Sequence, residues 1–268
     1  MDQSLKFFIP IARPFYFLAF SSYEAHTLTV LQTSVRPAGN TMVRQARLND
    51  TAIALHRAFS GQQVKFSIFG GYAVSTLGGP RASKDVDCIA SVNKQQILNI
   101  LDGKDSFVAV SQLQQGYVAF LWSDKLNRER AVLVEIFWAT FTMANVVPSA
   151  AQVTGETQGT GATMLLNPVY LFKGKLQAAA TRGKFHDASD LRWLESNYLS
   201  RLHQNRGQLS LLYVGLALKC YPELQHCFTR IGIDIQAVNT RAVAHDINDL
   251  PLPQPGDVQK GLLVPSNM

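Results

Sequence analysis

Cysteine is scarce in this chain. Its 268 residues hold three, Cys88, Cys220 and Cys227, an odd number with no Cys-x-x-Cys spacing. That excludes a disulfide framework and a cysteine-built zinc site, and it fits a reducing intracellular, cytoplasmic setting. Charge is thin too, at 16% Asp, Glu, Lys and Arg against about 25% in an average soluble protein. No apolar run reaches the roughly 20 residues that a membrane helix needs, so no membrane partner is expected. The segment FFIPIARPFYFLAFSS comes nearest, but Pro10, Arg13 and Pro14 interrupt it. A secretory signal would need a cleaner apolar centre and a small-residue cleavage site. Mitochondrial targeting stays open, although Lys6, Arg13 and Arg36 stand against Asp2 and Glu24. Residues 1–41 are read as a poorly ordered extension ahead of a working start at Met42.

What the chain does have is a net charge of +6, with 47% hydrophobic residues. That balance supports a folded core and suits an anionic partner such as a nucleotide or RNA. The excess is local: seven Lys and Arg against three acids over residues 168–206. A solvated basic helix face explains it as well as a phosphate-binding one.

The stretch of most chemical interest is FGGYAVSTLGGPRASKDVDCIA, residues 69–90. Gly70-Gly71 closes an apolar β-rich run from Val64 to Phe69, and Tyr72 to Leu77 has the make-up of a short helix. Glycine there permits close backbone approach, and free amides at a helix start favour phosphate oxygens. Gly78-Gly79-Pro80 breaks the helix before Asp85-Val86-Asp87 opens a second strand. Two acids two residues apart on a strand share one face. Oxygen ligands grouped this way suit Mg²⁺, which takes one or two carboxylates plus substrate phosphates.

Asn49-Asp50-Thr51 is placed to cap a helix over about 50–60, and residues 93–102 carry helix-spaced Ile97, Leu98 and Leu101. β-Rich runs follow near 106–111, 116–122 and 131–138. In the last, Glu135 sits between Val134 and Ile136, where a buried charge is costly without a partner. An edge strand facing solvent, or a lysine partner, would account for it; with Asp85 and Asp87 in view it becomes a third acidic ligand. Residues 149–162, small, polar and Gly/Thr-rich, read as a loop and a domain boundary. Helices are expected from Pro168 to about Arg182, over about 187–204, and over 208–230 with a break near Pro222. From Pro251 on, three prolines within five residues point to a disordered tail, 251–268. The fold class is therefore α+β: a mixed sheet with flanking helices over 42–148, then a helical half over 163–250.

These residues resemble the nucleotidyltransferase superfamily related to DNA polymerase beta. Its first signature, a glycine pair, a short helix and two acids on a strand, is matched by Gly70-Gly71 and Asp85-Val86-Asp87. Its second, a carboxylate on a later strand, is matched by Glu135. Arg81-x-Ser83-Lys84-Asp85-x-Asp87, followed by Lys175-x-x-Ala178, Arg182 and Asp187-x-x-Asp190-Leu191, looks like the abortive-infection toxin (AbiEii-type) branch. The resemblance spans about residues 50–200. It implies an acceptor oxygen attacking the α-phosphate of an NTP such as ATP, with Mg²⁺ or Mn²⁺ as cofactor and release of pyrophosphate. Asp85 and Asp87 would hold metal, with Glu135 completing the site or acting as base on the acceptor. Gly70 and Gly71 would approach the phosphates. Lys175, ahead of Arg81 and Lys84, would contact the triphosphate, and Ser83 matches a small hydroxyl position. Asp187 and Asp190 would be supporting polar groups, although Asp187 serves equally as a helix N-cap. The acceptor is left unread: an RNA end, a protein hydroxyl or a small molecule. Two rivals stand beside this, a non-catalytic nucleotide-binding or interaction protein on the same fold and a generic α+β domain whose acids cap turns.

Overall fold

The computed structural model describes residues 41–111, 116–139, 148–246 and 254–263. In chain order the elements begin with helix α1 (Thr41–Gly61), strand β1 (Phe66–Phe69), helix α2 (Gly70–Thr76), strand β2 (Asp85–Ala90) and helix α3 (Lys94–Leu101). Strands β3 (Phe107–Val110), β4 (Tyr117–Trp122), β5 (Val132–Trp138), β6 (Ser149–Thr154) and β7 (Thr160–Leu165) follow. Helices then take over: α4 (Pro168–Arg182), α5 (Phe185–Gln204), α6 (Leu211–Cys220), α7 (Gln225–Ile231), α8 (Ile235–Ala242) and α9 (Asp257–Leu263). This is the α+β arrangement expected, strands first and helices after. The described residues all fall in one compact unit. The expectation for residues 1–41 lies outside the described residues, Thr41 apart.

The seven strands form one mixed sheet in the order β3-β4-β5-β2-β1-β7-β6. β2 pairs antiparallel with β1 and parallel with β5, so the strand carrying the aspartates lies in the middle. Register decides which side chains share a face. Phe69 opposes Asp87, and Asp87 opposes Glu135, so all three project to one side. Phe66, Ile68, Val86, Cys88, Val134 and Ile136 alternate to the other side and are buried. α1 covers that second side: its Phe59 packs on Phe66 with ring centroids 5.2 Å apart. β5 lies between β2 and β4, which rules out the edge-strand account of Glu135.

Three sequence expectations are corrected here. Asn49-Asp50-Thr51 does not start a helix, because α1 already runs from Thr41. Asp50 is fully buried and accepts backbone N–H groups of Thr157 (3.0 Å) and Gln158 (2.7 Å), so its capping chemistry serves a distant turn. That turn belongs to the second correction: residues 149–162 are no loop but most of the β6–β7 hairpin, and β7 joins the sheet beside β1 at Ile68 and Leu165. Gly161 supplies the room for this, since a Cβ there would meet Ile53 of α1 at 2.8 Å.

The third concerns the tail, for which Pro251 suggested disorder. Residues 251–253 and 264–268 lie outside the described residues, but α9 is ordered between them. Leu262 and Leu263 are buried, and Leu262 fits against Gly174 of α4, where a Cβ would stand 2.5 Å from it. The side-chain amide of Gln259 donates to the carbonyls of Gly116 and Trp138, both at 3.1 Å, tying α9 to the ends of β4 and β5. No helix among the described residues is long and apolar enough to cross a membrane.

Candidate active site

β1 ends at Phe69, and the chain turns into α2 at Gly70 with φ at +69°. Few side chains tolerate that conformation. Space forbids one as well: a Cβ on Gly70 would fall on the carboxylate oxygen Oδ2 of Asp87. At Gly71 a Cβ would lie 2.8 Å from the Arg81 guanidinium and 2.9 Å from Ser83 Oγ. The room left by the glycine pair is thus occupied by the chain's own acid, arginine and serine. Phe69 and Phe137 meet edge to face beside it with centroids 5.6 Å apart, and Tyr117 packs on Phe137 at 5.1 Å. These rings line the acidic patch with apolar surface.

Asp85, Asp87 and Glu135 are half-buried on this face. Burial, then the charges of Asp85 and Glu135, drive the Asp87 carboxyl well above its usual range. Burial and the charge of Asp85 push Glu135 up to about 7, against hydrogen bonds from Tyr117 and Asp87 that favour its ionised form. On adjacent strands, Asp87 and Glu135 thus both have burial and a neighbouring acid working against their ionised forms. Asp85 takes a different partner: Ser83 Oγ donates to its Oδ1 at 3.0 Å and to its backbone carbonyl at 3.2 Å. Among the described residues no three His, Cys, Asp or Glu side chains are grouped to hold a metal ion. The register sets Asp87 beside Glu135 on adjacent strands, with Asp85 two residues away on the same face. Hard oxygen donors whose repulsion is relieved only by a proton or a cation still fit Mg²⁺ or Mn²⁺, for which two protein carboxylates are enough.

Behind the acids lies a chain of ion pairs that sequence reasoning grasped only in part. Asp187 and Asp190 sit one turn apart on α5, both with side chains at 0% exposure. Lys175 of α4 bridges them, 3.2 Å from Asp187 and 2.8 Å from Asp190. Arg81 donates to both oxygens of Asp190 at 3.0–3.1 Å. Arg182 donates to both oxygens of Asp187 at 2.8 and 2.9 Å. Burial raises the Asp187 carboxyl, but Arg182, together with the charge of Lys175, outweighs it and holds the group at about 2. The N-cap alternative for Asp187 does not stand, because Lys184 occupies that place. Lys175, expected to meet the triphosphate, is near enough for its charge to act on Asp87, yet it is 5% exposed and committed to two aspartates. Lys84 is exposed on the approach to β2. Tyr117 and the reach of Arg182 toward the acids were missed. Alternation in GYVAFLW puts Tyr117 on the same face as Ala119, which opposes Glu135.

No protein-family model and no curated protein matches the chain. Among solved structures it is similar to an antigenic nucleotidyltransferase-like protein from Paracoccidioides brasiliensis, at 15% identity and TM-score 0.45, over 68% of this chain and 92% of that one. It is also similar to the lincosamide antibiotic adenylyltransferase LnuA in its lincomycin-bound form, at 11% identity and TM-score 0.37, over 53% of this chain and 92% of that one. A third, a provisionally assigned nucleotidyltransferase from H. pylori, has 13% identity and TM-score 0.41, over 75% of this chain and 88% of that one. Likeness this distant carries no weight for function, which rests on the residues of this chain.

Proposed function

We propose that this chain is a metal-dependent nucleotidyltransferase that moves NMP from an NTP to an acceptor hydroxyl. The observation that carries this is the pairing of Asp87 and Glu135 across adjacent parallel strands, with Asp85 beside them, against a glycine pair that makes room for Asp87. Asp85, Asp87 and Glu135 would hold Mg²⁺ or Mn²⁺, which when bound neutralises phosphate charge and lowers the pKa of the attacking hydroxyl. The acceptor oxygen forms a bond to the α-phosphorus as the bond to the β-phosphate oxygen breaks, and pyrophosphate leaves. Glu135 takes the hydroxyl proton. Phe69, Tyr117 and Phe137 keep water from one side of the acids. The Lys175, Arg182, Asp187 and Asp190 pattern is read as that of the abortive-infection toxin branch, with the acceptor an RNA end, a protein hydroxyl or a small molecule.

A non-catalytic nucleotide-binding or interaction protein on the same fold is the second reading, favoured by Lys175, the expected triphosphate contact, being committed to Asp187 and Asp190. One experiment separates the two. Purified protein is incubated with each NTP labelled at the α-phosphate, cellular RNA and protein, and Mg²⁺ or Mn²⁺. Label should move to one acceptor class with the wild type and to none with Asp87→Asn. Transfer by a folded Asp87→Asn protein would sink the metal assignment. Nucleotide binding with no transfer under any condition would favour the second reading.

A further inference from the structure

The cation expected to meet the triphosphate, Lys175, is badly placed to do so. Its ammonium lies between two carboxylates that see no solvent, and it is 5% exposed. Withdrawing it toward a ligand would leave Asp187 and Asp190 facing each other across a dry gap, a costly arrangement. The two arginines at the ends of the same network differ from it in kind. Arg81 is 28% exposed and Arg182 29% exposed, and each guanidinium is held along two bonds by a fully buried aspartate. The result is near-symmetric: Arg81–Asp190–Lys175–Asp187–Arg182, with solvent-reaching forks at the ends and a buried lysine at the centre. A planar guanidinium fixed this way has already lost most of its rotamer freedom, and its geometry matches paired phosphate oxygens.

Both forks also border the acidic face. Arg81 lies over Gly71, next to the glycine whose missing Cβ makes room for Asp87. The charge of Arg182 acts on both Asp85 and Asp87. We infer that Arg81 and Arg182 form a two-arginine clamp for the phosphate chain of the substrate, and that Lys175 is the buried counter-ion that sets their separation. Identifying the anion as a nucleoside triphosphate rests on the transfer reading; the clamp itself requires only a polyphosphate.

Inorganic tripolyphosphate is therefore the probe, titrated by calorimetry into the wild-type protein with Mg²⁺ present. Arg81→Gln and Arg182→Gln, each checked for folding by circular dichroism, should weaken binding by about tenfold or more, since each removes a charge-assisted contact. Arg182→Lys, which keeps the charge and loses the fork, should recover only part of that loss. Protection mapping on the wild type needs no variant to fold. Tripolyphosphate should slow phenylglyoxal modification of Arg81 and Arg182, while Lys175 stays unreactive toward acetic anhydride with or without it. Unchanged affinity in both glutamine variants would overturn the clamp. So would a Lys175 that is acetylated in free protein and protected by tripolyphosphate, or a wild type with no saturable binding. Tripolyphosphate behaviour as expected with no label transfer would uphold the clamp and remove the transferase reading.

Discussion

Replacing Gly70 with alanine should separate local backbone cost from damage to the site. At φ +69° an alanine occupies the left-handed region, at a cost of roughly 1–2 kcal/mol. Its Cβ would also coincide with Asp87 Oδ2, so the carboxylate must swing away and lose its alignment with Glu135. Gly103 offers the control: its φ is +72°, and a Cβ there meets nothing within 4 Å. Gly103→Ala should therefore show only the backbone cost, about 1–2 kcal/mol in urea unfolding. Gly70→Ala should lose a comparable amount of stability and in addition bind Mn²⁺ at least about tenfold more weakly by electron paramagnetic resonance, equivalent to about 1.4 kcal/mol. Gly103→Ala should bind Mn²⁺ as the wild type does. If Gly70→Ala matched Gly103→Ala in both stability and Mn²⁺ affinity, Asp87 would not need the space the glycine leaves, and the account of the site would fail.

Further outcomes follow from the same geometry. Asp187 is fully buried and titrates at about 2 rather than 3.8, so its ion pairs add stability that is present above about pH 4 and lost as pH falls through about 2. A shift of that size corresponds to roughly 2 kcal/mol, and the stability gap between wild type and Asp187→Asn should close over that interval in pH-dependent urea unfolding. A gap unchanged down to the lowest pH would refute it. Leu262→Ala should cost about 2–5 kcal/mol, because Leu262 is 2% exposed against α4; a loss below about 1 kcal/mol would mean α9 is not packed as described. Mn²⁺ at about a hundred times its dissociation constant should stabilise the wild type by roughly 2.7 kcal/mol, seen as a raised thermal midpoint, and Asp87→Asn should lose most of that gain.

Much of the sheet was legible because its strands are short apolar, β-rich runs. β2, β4 and β5 lie within a residue or so of where the runs at 86–90, 116–122 and 131–138 placed them. Pro168 as a helix start was equally plain, with Asn167 accepting from Val169 N–H at 3.0 Å. What escaped depended on partners distant in sequence. Asp50 looks like a cap in isolation, and only the approach of residues 157 and 158 gives it another use. The 149–162 stretch has Val153 as its one large apolar side chain and becomes sheet because β1 offers an open edge and Gly161 admits Ile53. The acid pair was readable as a spacing, and Glu135 as an oddity. The commitment of Lys175 was not: whether a lysine meets solvent or two buried aspartates depends on how α4 packs on α5, which no local pattern records.

The hydrogen bonds from Gln259 carry a consequence for how the protein is made. Two carbonyls at the ends of β4 and β5, Gly116 and Trp138, wait for a side chain translated 143 and 121 residues later. While the ribosome is still adding that stretch, those two carbonyls lack their final partner and must take water instead. A chain cut short before Gln259 would keep every acid of the candidate site and lose the lock on the strands beside them.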